Sequence, residues 1–155
     1  MRLQISTQLA IFAILELAAR DGQQVSVADI GEKYSVSSHH LAKVMHVMGR
    51  AGLVRSARGA GGGYQFAGNA RRTTLLDVVR RFEDMSSIDQ HPGVADATAE
   101  GQALRQVLSE IDDIARATLG SITIATMRKL VERHGAGGGR RAKPVSSRQR
   151  DRSPS

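Results

Sequence analysis

Residues 26–67 read SVADIGEKYSVSSHHLAKVMHVMGRAGLVRSARGAGGGYQFA, and this stretch decides the fold. Ser26 and Ser37 are favourable N-caps, and each precedes apolar residues at helical spacing, so we predict two short helices joined by a tight turn. Gly52 stands where the second helix should end. Beyond it, two short runs typical of strands flank a glycine-rich segment, which predicts a hairpin over residues 53–66.

The segments on either side of this stretch complete the pattern. Residues 5–20 also have apolar side chains at helical spacing, so a further helix precedes the pair. Three helices followed by a two-stranded wing form a winged helix-turn-helix. Downstream, the pattern predicts a short helix capped by Thr74, a loop over residues 85–99, a long helix over residues 100–119 and a last helix over residues 122–133.

The long predicted helix has apolar side chains at intervals of three and four residues along most of its length. They are Leu104, Val107, Leu108, Ile111, Ile114, Ala115 and Leu119. Because little of its own domain is left to cover this face, we expect a second copy of the chain to do so. The predicted fold class is therefore mainly α, with a winged helix-turn-helix DNA-binding domain and a long C-terminal dimerisation helix.

The charge of the chain is unevenly distributed. The net charge of +7 divides into +5 for residues 1–75, −3 for residues 76–134 and +5 for residues 135–155. Basic surfaces attract nucleic acids through counterion release. The charge alone leaves open a protein that carries excess cations without binding nucleic acid, so the motifs must decide.

The absence of cysteine excludes several classes of chemistry. With none in the chain, disulfides, thiolate-bound zinc, cysteine-bound iron–sulfur clusters and a cysteine nucleophile are all excluded. No apolar run reaches the ~18–20 residues that a membrane span requires. The N-terminus lacks the features of a signal peptide, so we expect a cytoplasmic protein with no membrane partner.

The second helix of a helix-turn-helix enters the major groove with its N-terminal residues, so its polar positions are candidate DNA contacts. Serine, histidine and lysine side chains bind base edges or phosphates. An arginine at the wing tip fits a narrow minor groove, where the negative potential is strongest. The candidate DNA-binding residues are Ser37, Ser38, His39, His40, Lys43 and Arg50 from the helix, and Arg55, Arg58 and Gly59 from the wing.

Other interpretations of these residues are weaker. His39, His40 and His46 do not converge, since no two of them are four residues apart on the helix, so they are poor metal ligands. The glycine-rich segment lacks the Lys-Ser/Thr of a P-loop, which argues against nucleotide binding. A plain flexible hairpin remains an alternative interpretation. No Ser/His/Asp set or carboxylate pair supports catalysis, and Asp112 and Asp113 fit a solvated helix face. We therefore predict no enzyme.

Four segments resemble the IscR/NsrR group of bacterial transcription regulators. They are MRLQISTQLAIFAILELAAR (1–20), VADIGEKYSVSSHHLAKVMHVMGRAGLVRSARGAGGGYQF (27–66), RTTLLDVVRRFED (72–84) and LGSITIATMRKLV (119–131). The resemblance covers residues 1–133 and implies winged-helix homodimers whose long C-terminal helices cross between subunits. It further implies that the protein binds a palindromic operator, most often as a repressor. It places Ser38, His39, His40 and Lys43 on the recognition helix and makes Arg58 the wing arginine that probes the minor groove.

The resemblance also bears on cofactors. Many members of the group sense iron, redox state or nitric oxide through an iron–sulfur cluster, whose three cysteines precede the long helix. In this sequence those positions fall near His91, Asp96 and Gln102. Some relatives have an acidic cluster ligand at a position that is Gln8 here. Oxygen and nitrogen ligands do not replace three thiolates, so we expect no cofactor. A metal site of His91, Asp96 and Glu100 is the alternative, and a small-molecule or protein effector stays open.

The sequence therefore predicts a sequence-specific, DNA-binding transcriptional regulator. We expect a repressor that binds a palindromic operator in double-stranded DNA as a homodimer. The alternatives are a metal- or ligand-responsive sensor using non-cysteine ligands, or a winged-helix protein-interaction module. Residues 1–75 are predicted as the DNA-binding region, and residues 76–134 as a linker helix, a sensor-type loop and the dimerisation helices. Residues 135–155 are predicted as a disordered basic tail.

Overall fold

A computed structural model of the chain describes residues 2–59, 61–85 and 97–138. Its elements are α1 (Ile5–Ala19), α2 (Val27–Tyr34), α3 (Ser38–Arg50), β1 (Val54–Ala57), β2 (Gly63–Phe66), α4 (Leu75–Val79), α5 (Ala99–Ser121) and α6 (Ile124–Gly138). The strands β1 and β2 form an antiparallel pair. The predicted class is confirmed: the chain is mainly helical, with a winged helix-turn-helix followed by a long C-terminal helix.

Polar caps begin the short helices where the sequence predicts them. The Ser26 hydroxyl accepts a hydrogen bond from the Asp29 backbone N–H, at 3.0 Å. Thr74 and Asp77 form a reciprocal capping box at the start of α4. Such caps satisfy backbone donors that have no partner inside the helix, and each contributes about 1 kcal/mol. The sequence pattern predicts this helix over residues 74–84, and α4 is shorter, because it ends at Val79.

The hydrophobic core is built around α1. Ala10, Ala13 and Ile14 have no exposed surface, and α1 contacts α3, β2, α4 and α6. A helix that packs on several sides must be apolar on several faces, which explains why its sequence, ISTQLAIFAILELAA, is apolar almost throughout. The predicted apolar stripe of α3 is buried against it. That stripe consists of Leu41, Val44, Met45 and Met48.

Backbone hydrogen bonds attach the start of α6 to the winged domain. The Leu75 N–H donates to the Ile122 carbonyl at 2.8 Å, and the Ile124 N–H donates to the Thr73 carbonyl at 2.9 Å. Ile124 is fully buried. The last helix, α6, is therefore fixed to the same core as the helix-turn-helix and the wing, along one side of α1.

The last helix, α6, extends beyond the C-terminal end that the sequence predicts. It continues to Gly138 and so takes in the first residues of the predicted tail. Extending an existing helix avoids the cost of starting a new one, so α6 continues for a short distance although its glycines disfavour the helix. The remaining tail, residues 139–155, and most of the predicted loop, residues 86–96, lie outside the described residues.

Candidate nucleic-acid interface

The end of α2, the turn, α3 and the wing lie in a stretch of sequence that has no acidic residue. Between residues 33 and 76 the sequence has seven Lys or Arg and no Asp or Glu. The seven are Lys33, Lys43, Arg50, Arg55, Arg58, Arg71 and Arg72. A run of sequence rich in cations and free of carboxylates favours contact with the phosphate backbone. Lys33 contributes less, because it pairs with Glu16 of α1. Arg71 and Arg72 follow the wing and were not among the predicted contacts, and Arg71 lies on a surface shared with α6.

The turn between α2 and α3 is closed by two backbone hydrogen bonds. The Val36 N–H donates to the Gly31 carbonyl at 2.8 Å, and the Ser35 N–H donates to the Glu32 carbonyl at 3.3 Å. Ser35 has a left-handed backbone with φ 54°. This pattern is a Schellman motif, with serine in the position that glycine usually takes. The turn packs closely against α2, since a Cβ at Gly31 would lie 2.7 Å from the Val36 carbonyl oxygen.

The polar edge of α3 faces away from the core. Ser38, His39, Lys43 and Arg50 are exposed, as the sequence analysis predicts. They occupy the side opposite the buried stripe, so the same packing that holds α3 in place leaves them available. Hydroxyl, imidazole and ammonium groups near the N-terminus of such a helix are able to bind base edges and phosphates.

Two predicted contacts of α3 have partners within the chain. The Ser37 hydroxyl accepts from the His40 backbone N–H at 3.2 Å and so caps the helix. The His40 Nε2 lies 3.2 Å from the Ser6 hydroxyl oxygen of α1, and the histidine is only partly exposed. His40 is therefore less exposed than the other polar residues of α3, because the N-terminal turn of α1 lies over the start of α3, and its contact with DNA stays a prediction.

The wing holds Arg55 across its two strands. Arg55 pairs with Gln65 in the strand register, and its Nε donates to the Gln65 amide oxygen at 3.1 Å. Gln65 in turn donates to the Gly22 carbonyl at 3.0 Å. Arg55 remains exposed. A groove between α3 and the wing also takes in Arg50, so the structure brings these two predicted cations to one concave surface.

The tip of the wing is a glycine turn that presents Arg58. The Gly62 N–H donates to the Gly59 carbonyl at 3.1 Å, and Gly61 has φ +93°, a conformation that side chains rarely adopt. Arg58 and Gly59 are exposed, as predicted. No carboxylate among the described residues pairs with Arg58. Its guanidinium is therefore available to a phosphate or a groove.

A third backbone segment joins the wing. The Val25 N–H donates to the Tyr64 carbonyl at 3.0 Å, and the Tyr64 N–H donates back at 2.9 Å. A Cβ at Gly63 would lie 2.9 Å from the Val25 carbonyl oxygen, so glycine is needed for this approach. The sequence analysis missed Val25, because one bridging residue has no periodicity that could reveal it.

The residues considered for metal binding are not brought together in the described part of the chain. No group of three or more His, Cys, Asp or Glu there could hold a metal ion. Gln8 donates to the Leu3 carbonyl at 2.9 Å, and both Gln102 and Glu100 are exposed on α5. His91 and Asp96 lie outside the described residues.

The membrane question has a similarly bounded answer. Of the helices in the described ranges, none is both long enough and apolar enough to cross a bilayer.

Comparison with known proteins assigns the family. The chain matches the Rrf2 family model, described as an iron-dependent transcriptional regulator, over residues 3–129. The chain belongs to the Rrf2 family. This result confirms the resemblance to the IscR/NsrR group and the prediction of a DNA-binding transcriptional regulator rather than an enzyme.

Individual relatives agree with this assignment. The chain is 48% identical over 132 residues to BadM of Rhodopseudomonas palustris, whose name describes it provisionally as an HTH-type transcriptional regulator; the match spans 85% of this chain and 84% of BadM. Among solved structures, CymR, the global cysteine regulator of B. subtilis, has a TM-score of 0.71 at 25% identity and covers 84% of this chain and 98% of its own. IscR of T. potens has a TM-score of 0.63 at 27% identity, covering 93% and 94%.

The iron in the family description does not fit the described residues. Iron–sulfur clusters are held by thiolates, and the chain has no cysteine. Gln102, near one of the positions where the resemblance would place a cysteine, is an exposed amide on α5. No step of the function proposed below involves iron.

Proposed function

We propose that this Rrf2 protein is a sequence-specific repressor that binds a palindromic operator as a homodimer in the cytoplasm. The observation that carries the proposal is that the exposed edge of α3 and the Arg58 tip of the wing both come from a stretch of sequence without acidic residues. The edge of α3 fits the major groove, where Lys43 reaches a guanine or a phosphate. The wing tip fits the adjoining minor groove, where an arginine is favoured by the narrow, electronegative floor.

The exposed apolar face of α5 supports the dimer. The face consists of Leu104, Val107, Leu108, Ile111 and Ile114, which are 39–66% exposed. Further along the same apolar face, Leu119 packs against the core of its own chain. A second copy of α5 would bury the exposed face and set two recognition helices against two half-sites. A repressor of this kind acts by occupying a promoter and excluding polymerase.

In vitro selection from random duplexes tests the proposal. We expect the selected sequences to share two inverted half-sites about one helical turn apart. Selection of no sequence at moderate salt, together with partner capture from a nuclease-treated lysate, would instead favour the protein-interaction module.

The wing arginine provides a sharper test. Arg58→Ala should weaken operator binding and relax any A·T preference beside each half-site, because the cation no longer enters the minor groove. Fluorescence anisotropy on operators with varied flanks measures both effects. As a control, Lys129→Ala removes the same charge from an exposed position of α6 and should leave the flank preference unchanged. An Arg58→Ala protein with unaltered affinity and preference rules out this role for the wing.

A further inference from the structure

A second groove lies between the winged domain and the C-terminal helix, on surfaces that the proposed DNA contacts do not use. We call it the α1–α6 groove. It has a volume of about 480 Å³ and is walled by Phe12 and Leu15 of α1, Tyr34 of α2, and Met127 and Val131 of α6. A cavity of this size and composition is typical of small-molecule sites.

Two aromatic side chains lie on the wall formed by α1 and α2. The rings of Phe12 and Tyr34 stack with centroids 5.0 Å apart and planes 17° from parallel. Phe12 is 37% exposed, and Val131 across the groove is 52% exposed. A planar apolar molecule placed between Phe12 and Val131 would bury apolar surface on both walls of the groove.

The carboxylate on this wall is already satisfied. Glu16 accepts hydrogen bonds from Lys33 and, at 2.8 Å, from the Tyr34 hydroxyl, and Arg20 lies 3.6 Å away. Burial raises the pKa of Glu16, but the hydrogen bonds from Lys33 and Tyr34 and the two cationic charges outweigh it and hold the pKa below its ordinary value. Glu16 therefore stays ionised and occupies Lys33 and Arg20.

Arg128 on the opposite wall is in a different situation. It is partly buried, and no carboxylate among the described residues lies within ion-pair distance of it. The adjoining surface is lined by Arg71, Lys129 and Glu132. Of these three, only Glu132 also lines the groove, and it forms no ion pair with Arg128. A partly desolvated guanidinium without an anion is unfavourable, and a carboxylate is able to pair with it through two parallel hydrogen bonds.

From these features we infer that the α1–α6 groove binds an organic carboxylate with a flat apolar body. The carboxylate pairs with Arg128, and the body lies against Phe12, Tyr34 and Val131. Because the groove is formed by α1 and α2 on one side and α6 on the other, the ligand bridges the helix-turn-helix and the C-terminal helix. The site is therefore placed to act as an effector site of the regulator.

Titration of the full chain with 2-naphthoate tests the inference. The chain has no tryptophan, so the fluorescence anisotropy of the probe is read against a low background. We expect a Kd below 1 mM, and at least tenfold weaker binding of the neutral 2-naphthamide, corresponding to about 1.4 kcal/mol. No binding at 1 mM, or equal binding of acid and amide, overturns the inference. The titration contains no DNA, so its outcome does not depend on the proposed operator.

Variants locate the binding site. Arg128→Gln should weaken naphthoate at least tenfold and leave naphthamide unchanged, whereas Lys129→Gln, on the next residue of the same helix, should have little effect. Val131→Phe should fill the groove and weaken the binding of both naphthoate and naphthamide. Calorimetry measures naphthoate binding to this variant. Equal effects of Arg128→Gln and Lys129→Gln overturn the site. Naphthoate binding that competes with self-association on dilution would show that a second copy covers the groove, which also overturns it.

Discussion

Ser35 is the one non-glycine residue with a positive φ among those the structure describes. A side chain in this left-handed conformation is destabilising by about 1 kcal/mol, because its Cβ crowds the backbone. The turn accepts this strain because the two hydrogen bonds of the Schellman motif need that conformation.

Ser35→Gly should therefore stabilise the protein. The free energy of unfolding should rise by about 0.5–1 kcal/mol, since the relief of strain exceeds the greater flexibility of glycine in the unfolded chain. Urea unfolding at a fixed protein concentration measures the change. A decrease in stability would mean that the serine side chain contributes a contact that outweighs the strain.

Glu83 fastens the segment after α4 to the start of α1. Its carboxylate accepts from the Thr7 hydroxyl and from the Gln4 backbone N–H, both at 2.6 Å, and Thr7 is fully buried. The hydrogen bond from Thr7 lowers the pKa of Glu83; burial raises it by less, and the bonds from Gln4 lower it further, so it lies below its ordinary value of 4.5. Stability from this contact is present above pH 4.5 and is lost as the pH falls through the folded-state pKa.

Glu83→Gln should remove that pH dependence while keeping an acceptor for Thr7. At pH 7 the variant should be less stable by about 1 kcal/mol, because a charged acceptor forms the stronger hydrogen bond. As the pH falls below 4.5 the difference should shrink. Urea midpoints between pH 3 and 7 check this. A constant difference over that range contradicts the assignment.

At the scale of elements, the packing of α2 against the turn outweighs helix propensity. By propensity alone, glycine to alanine within a helix is stabilising by about 1 kcal/mol. At Gly31, however, the added Cβ would meet the Val36 carbonyl oxygen at 2.7 Å, which requires the turn to move. At Gly49 in α3, the nearest atom would be 3.9 Å away, an ordinary contact.

These two glycines form a matched pair of substitutions. Gly31→Ala should destabilise by about 1–3 kcal/mol through overpacking, and Gly49→Ala should stabilise by up to about 1 kcal/mol. Thermal and urea unfolding of both variants, at equal protein concentration, gives the comparison. Stabilisation by both alanines would show that the turn is loosely packed.

The elements also show what a sequence is able to predict. The caps at Ser26 and Thr74 and the buried stripe of α3 depend on residues three or four positions apart, so local patterns predict them. The contact of His40 with Ser6 and the bridge of Val25 with Tyr64 join distant segments through single residues. Only the packed fold determines such contacts. For the same reason the exposure of Lys43 and Arg58 was predictable, and that of His40 was not.

At the scale of the whole molecule, α5 is the element that a single chain leaves least covered. Ile114 is 66% exposed, so its replacement leaves the core of the protomer intact. Ile114→Glu should place a charge in the proposed dimer interface and convert the dimer to monomer. Operator affinity should then fall by roughly two orders of magnitude, because the two half-sites are no longer bound by one linked molecule.

Sedimentation velocity and operator titration measure the two effects together. Ser109→Glu introduces the same charge on another face of α5 and should preserve both dimer and affinity. A wild-type protein that sediments as a monomer, or an Ile114→Glu protein that still sediments as a dimer, contradicts the role of α5.

The segment between α1 and α2 is hydrogen-bonded to β2 through Val25 and Tyr64, so the wing does not tilt independently of the helix pair. In the proposed binding mode, the separation between the Arg58 tip and the edge of α3 is thus set by the protein. The duplex has to deform wherever its own groove geometry differs from that separation. Base steps that deform easily need less energy to do so, and they should be preferred even where no side chain touches them. The stiffness of DNA between the two contacts then becomes part of what this regulator recognises.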